Sequence, residues 1–167
     1  LESAYISSSL SQMGAYAFTG DTALASVTFG DGALLVGDFA FSIFERTEEG
    51  MQLSEQSALT SVLLPQSVQT VGAYAFAGCT SLTSVNLSGA KTVGAAAFMN
   101  TTSLRSVTLG ENTAEIGASA FENSAVSEID LSKVKVFGDR SFYASEVTQN
   151  SFPSAETIGK EAFFGCY

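Results

Sequence analysis

Few of the 167 residues are of types that do chemistry. The chain carries 17 acidic side chains against 7 basic ones, a formal charge of −10, with two cysteines and no histidine. Without histidine there is no Ser-His-Asp or Cys-His relay, no His-ligated zinc or haem, and no imidazole base working near neutral pH. Glu128 and Asp130 stand at i and i+2 in an alternating segment, so a strand would place both on one face about 7 Å apart. That spacing suits a calcium ion or the carboxylate pair of a glycosidase, but no tryptophan is present to form a sugar platform, and a solvated pair is the default expectation. Cys79 and Cys166 each follow a phenylalanine by three residues, Phe76 and Phe163. The pattern described next separates them by roughly 19 Å, against a limit of roughly 7 Å between the Cα atoms of a disulfide, which predicts two free, buried thiols. No GxGxxG or GxxxxGK[ST] motif cradles a phosphate, so neither catalysis nor a cofactor is expected.

The elements that must position these residues come from a repeat. A short signature, Met13-Gly14-Ala15-Tyr16-Ala17-Phe18, recurs at 36–41, 71–76, 93–98, 116–121, 137–142 and 158–163, in steps of 21 to 23 residues apart from one of 35. The long step is one repeat plus an insertion at about 42–56. Between these copies lies a second signature, Leu24-Ala25-Ser26-Val27-Thr28-Phe29, repeated at 59–64, 82–87, 104–109, 126–131 and, more weakly, at 147–152. Its last four residues alternate polar and apolar, the pattern of a half-buried strand. A unit this short cannot bury its own apolar face, so the units must stack, with equivalent strands pairing in parallel about 4.8 Å apart. Phe18, Phe41, Phe76, Phe98, Phe121, Phe142 and Phe163 then form one aromatic spine, each preceded by Ala or Ser. The glycine opening each copy is expected where the backbone needs positive φ or approaches the next coil closely.

Strand, connector, V/I-G-x-x-A-F and then G-C-x-S-L, as in the run from Val71 to Leu82, resembles the BspA-like class of leucine-rich repeats along nearly the whole chain. The resemblance implies secreted or surface-displayed proteins that adhere to host proteins or other cells. The expected fold is one right-handed leucine-rich-repeat solenoid over residues 1–167, about seven coils, with a parallel sheet on one face and short turns or 3₁₀ segments on the other. Three departures stand out. The insertion is expected to form a hairpin turning near Glu49-Gly50. Asn150 occupies a column otherwise filled by Val27, Val62, Val85, Val107 and Ile129, so it must hydrogen-bond a neighbouring carbonyl or mark a shift of register. The chain also starts inside one repeat and stops before another strand, which suggests a part of a longer protein, or ends covered by self-association.

With so few Lys and Arg, no nucleic acid is expected, and with no run of 18 apolar residues, no membrane insertion. No signal peptide is expected within the chain as it begins at Leu1, so that any targeting segment has been removed or the chain is a fragment. The expected partner is a protein or cell-surface ligand, such as a host extracellular-matrix or plasma protein, met outside the cell. Extra residues in one coil often carry binding, so the insertion is the first candidate site, through Phe44, Glu45, Arg46, Glu48, Glu49, Met51 and Leu53; an inert loop folding its apolar residues back is the alternative. The outward strand face is the second, through Tyr5, Thr28, Leu63, Asn86, Thr108, Glu128 and Asp130, although it lacks the Trp, Tyr and Arg anchors of tight interfaces. Two readings compete with an adhesion module. One is a structural spacer, and the other, a carbohydrate-active enzyme, rests on Glu128 and Asp130 alone.

Overall fold

The computed structural model describes residues 1–48, 50–54 and 57–166. In chain order its strands are β1 (Ser3–Ile6), β2 (Ser26–Phe29), β3 (Leu35–Val36), β4 (Phe44–Thr47), β5 (Gly50–Leu53), β6 (Ser61–Leu63), β7 (Thr70–Val71), β8 (Ser84–Leu87), β9 (Thr92–Val93), β10 (Ser106–Leu109), β11 (Glu115–Ile116), β12 (Glu128–Ile129), β13 (Val136–Phe137) and β14 (Thr157–Ile158). Apart from the hairpin β4–β5, all pair in parallel, one coil to the next, which makes the chain a β-solenoid.

Alternation drives the first ladder. In β8 the pattern Ser-Val-Asn-Leu buries Val85 and Leu87 and exposes Ser84 and Asn86. The register follows the serine column, Ser3 to Ser26 to Ser61 and Ser84 to Ser106 to Glu128, because a one-residue slip would turn every valine to solvent. This ladder divides into β1-β2-β6 and β8-β10-β12. Pro65 shortens its middle. In the first pair the Gly30 N–H bonds the Ile6 carbonyl at 2.8 Å; Pro65, at the equivalent place, has no N–H, and the β2–β6 register ends at Leu63.

A second ladder, β3-β7-β9-β11-β13-β14, runs without a break through the residues that precede each glycine from Gly37 on, valines and isoleucines apart from Phe137. The face expected to carry only turns therefore holds a six-stranded sheet of two-residue strands. The turns between are non-helical, with no 3₁₀ segment among the described residues. Of the two roles expected for the repeat glycines, close approach is the one realised. A Cβ on Gly94 would stand 2.7 Å from the Gly72 carbonyl carbon and the Val71 oxygen. Positive φ falls two residues later instead, on Tyr16, Phe39, Tyr74, Ala96, Ser119, Arg140 and Glu161, at 52° to 60°. Each of the first six donates its N–H to a carbonyl of the next coil, at 2.8–2.9 Å, and these rungs compensate the left-handed strain.

Between the ladders the seven spine rings stack with centroids 5.1–5.4 Å apart and planes within 11° of parallel. Phe41 through Phe142 are buried, while Phe18 and Phe163 in the end coils are half-buried. The small residue before each of these buried rings, Ala40, Ala75, Ala97, Ala120 or Ser141, is fully buried. Three expectations need correction. No strand forms at 147–152, where Gln149 accepts the Leu131 N–H at 2.9 Å through its side chain, and Asn150 is exposed, so the register has shifted. The outward strand ends at Ile129, leaving Asp130 just beyond it. Cys79 is buried, but Cys166 is only partly so; both thiols are free.

Candidate functional site

The insertion is a hairpin. Phe44 opposes Leu53, Glu45 opposes Gln52, Arg46 opposes Met51 and Thr47 opposes Gly50, so the chain reverses between Thr47 and Gly50, near the expected place. Gly50 carries φ +118°, which favours glycine. At its base the Ser54 N–H bonds the Ile43 carbonyl at 2.8 Å. The base rests on Gly78, where a Cβ would meet the Ser54 oxygen at 3.2 Å and the Leu53 side chain at 3.3 Å. Glu48 is exposed in the turn, and Glu49 lies outside the described residues.

Phe44 ties the hairpin to an aromatic ladder that sequence reasoning missed. Tyr16, Phe39 and Tyr74 stack on one another at 4.8 Å with planes within 6° of parallel. Phe44 leans against Phe39 at 5.7 Å and Tyr74 at 6.4 Å, tilted by about 50° to both. The left-handed backbone at these three positions carries the rings out of the solenoid rather than into its spine, and Tyr16 is 60% exposed. Between Phe44 and the ladder a hollow of about 180 Å³ is lined by Tyr16, Thr19, Phe39 and Phe44. Its signal was in the sequence, three aromatics at one repeat position beside the insertion, but phenylalanine-rich repeats read first as core.

On the other side of the hairpin base lies a polar hollow of about 270 Å³, lined by Leu53, Gly78, Thr80, Asn100 and Asn123 among others. The Asn123 amide donates to the Asn100 carbonyl oxygen at 3.1 Å. Both asparagines adopt left-handed φ, 58° and 53°, in the column that Gly20, Gly78 and Gly165 also occupy. The repeat thus turns twice through this conformation, on either side of every spine phenylalanine except Phe41, after which Ile43 leads into the insertion.

The strand face separates into two groups. Tyr5 and Leu63, both largely exposed, flank Thr28 across β1, β2 and β6. Asn86 and Thr108 are opposed across β8 and β10, with Glu128 and Asp130 exposed beyond. Asp130 has a local role. Its carboxylate accepts the Ser132 N–H at 2.9 Å, as Asn86 does from Ser88, and that bond to the backbone holds its pKa below the ordinary value. Burial pushes the Cys79 thiol up to about 12, so it stays protonated and is no nucleophile at neutral pH. Glu122 is a further charged group in a defined setting. Arg140 hydrogen-bonds both its carboxylate oxygens, at 3.1 and 2.5 Å, and also reaches Glu161 at 3.3 Å while lying 3.7 Å from the Tyr143 ring centre. Among the described residues no group of three or more Cys, Asp or Glu comes close enough to hold a metal ion.

The family model for the BspA type leucine-rich repeat region matches in six copies over residues 1–50 and 47–167. The chain belongs to this family. Two crystal structures share the fold of this BspA-type solenoid. A leucine-rich repeat protein of T. pallidum superposes with a TM-score of 0.77 at 22% identity, covering 99% of this chain and 77% of that one. A leucine-rich cell surface protein of Faecalibacterium prausnitzii A2-165 gives 0.61 at 19% identity, covering 99% of this chain and 45% of that one. No curated protein sequence matches the chain. Solenoids of this kind are typical of protein–protein interaction modules.

Proposed function

We propose that the chain is a non-catalytic binding module, displayed at a cell surface or outside the cell, that recognises a protein ligand through the insertion hairpin and the aromatic ladder beside it. One observation carries this reading: Phe44 of the insertion joins Tyr16, Phe39 and Tyr74 in a partly exposed aromatic cluster beside a hollow. Aromatic side chains gathered in a partly desolvated patch are the usual energetic centre of a protein interface. The strand face offers few such anchors. The surface setting draws support from the F. prausnitzii relative, a cell surface protein of the same fold. A hollow of about 180 Å³ is smaller than the roughly 300–1,000 Å³ of small-molecule sites, which favours a macromolecular partner offering one side chain.

The test is a binding screen of the purified chain against immobilised extracellular-matrix and plasma proteins, run beside a variant with residues 44–55 replaced by a Gly/Ser linker. A saturable interaction lost in the variant, whose far-ultraviolet spectrum stays that of the parent, is the expected result. Interactions of equal strength in both proteins would overturn the site, and silence across the panel would favour a spacer.

A further inference from the structure

We infer that the partner inserts the side chain of an arginine or lysine into the hollow between Phe44 and the Tyr16–Phe39 ladder, so that the ligand is a basic segment of a protein. This rests on the binding-module reading and adds the chemistry of what binds. The charge distribution is the independent observation. Residues 1–90 carry eight acids and a single base, Arg46, whereas residues 91–167 carry nine acids and six bases. The described ion pairs follow the same division. Arg105, Lys133, Lys135, Arg140 and Lys160 each meet a glutamate in the later coils, while before residue 91 the described pair is that of Asp21 with the Leu1 amine. Negative charge is therefore least offset in the coils that hold the aromatic hollow. Four of the acids, Glu45, Glu48, Glu49 and Glu55, belong to the insertion itself, and Asp38 directly precedes Phe39.

A cleft lined by aromatic rings, in coils whose acids outnumber their bases eight to one, suits a side chain built the opposite way. Lys and Arg bury an alkyl stem along apolar surface and keep the charged head in water, and an aromatic ring face attracts that head further. The ladder rings cover one another's faces at 4.8 Å. Phe44, tilted about 50° from them, lines the hollow together with the Tyr16 ring, which is largely exposed. An acidic or phosphorylated ligand would be repelled by the same field, and a wholly aliphatic one would leave it unused.

The test uses four nine-residue peptides of alternating glycine with Arg, Gln, Glu or Leu, titrated into the intact chain by fluorescence anisotropy. The parent should bind the Arg peptide at least about tenfold more tightly than the others, and Tyr16→Ser, at an exposed ring, should weaken that binding about tenfold. Phe44→Ser should do the same, and Glu111→Gln in the later coils should change nothing. The proposal is overturned if the Arg peptide binds the Tyr16→Ser and parent proteins equally, which is unspecific charge attraction, or if the Leu or Gln peptide binds as tightly. Should the Arg peptide not bind while a screened protein is captured in a hairpin-dependent way, the basic ligand fails and the binding module stands. Loss of hairpin dependence in the screen removes both.

Discussion

At the scale of single residues, two polar side chains in the interior differ in what surrounds them. Glu122 is nearly buried, and the hydrogen bonds from Arg140 hold its carboxyl below the ordinary value of 4.5 against the opposing effect of burial. A carboxyl depressed in the folded state stabilises the fold above its unfolded pKa, and that contribution disappears as pH falls through the folded value. Below pH 4.5, then, the urea midpoint of the parent should fall more steeply than that of Glu122→Gln, and parallel pH profiles would show that the pair contributes nothing. Ser141 is the contrary case. It stands in the column where Ala40, Ala75, Ala97 and Ala120 are buried, and its hydroxyl, also buried, has no hydrogen-bond partner. An unsatisfied buried hydroxyl costs about 1 kcal/mol or more, so Ser141→Ala should raise stability by about 1 kcal/mol in urea unfolding; a loss would mean that the hydroxyl does bond in solution.

At the scale of elements, the repeat glycines act through space rather than through φ. Gly94→Ala places a methyl 2.7 Å from the Gly72 backbone, whereas at Gly14, in the first coil, nothing lies within 4 Å. The first substitution should cost about 1–3 kcal/mol by overpacking, the second within about 0.5 kcal/mol, and thermal melts of the two variants would reveal the contrast. The first ladder was legible in the sequence because its four-residue strands alternate, and the phenylalanine spine because one column repeats seven times. Two-residue strands such as Thr92–Val93 carry too little periodicity to announce a second ladder. The left-handed φ at Tyr74 or Ala96 follows from hydrogen bonds to the next coil, not from local preference, so it left no signature and hid the outward turn of the aromatic ladder. Asn150 did leave one. An amide in a valine column demanded a partner or a slip, and the exposed position it takes is the slip.

At the scale of the whole molecule, the question is what makes seven thin coils one cooperative unit. The first ladder is interrupted between β6 and β8, so the third and fourth coils are joined by the second ladder, Val71 against Val93, and by the spine, Phe76 on Phe98 at 5.2 Å. In a solenoid, stability is the sum of weak units and strong interfaces, and a weak interface is where cooperativity would fail. Both remaining links are fully buried, which argues that the interface holds. Amides of β2 and of β10, on opposite sides of the interruption, should therefore reach the same limiting free energy in native-state hydrogen exchange. Phe98→Ala removes the shared ring and should cost about 3–5 kcal/mol. Because backbone hydrogen bonds, those of the second ladder and rungs such as Tyr74 N–H to the Ala95 carbonyl, then span the gap without the ring stack, the two limits should separate in that variant, with β2 and β10 opening independently. If they are already separate in the parent, the chain is two stacked units and the phenylalanine spine does not couple them.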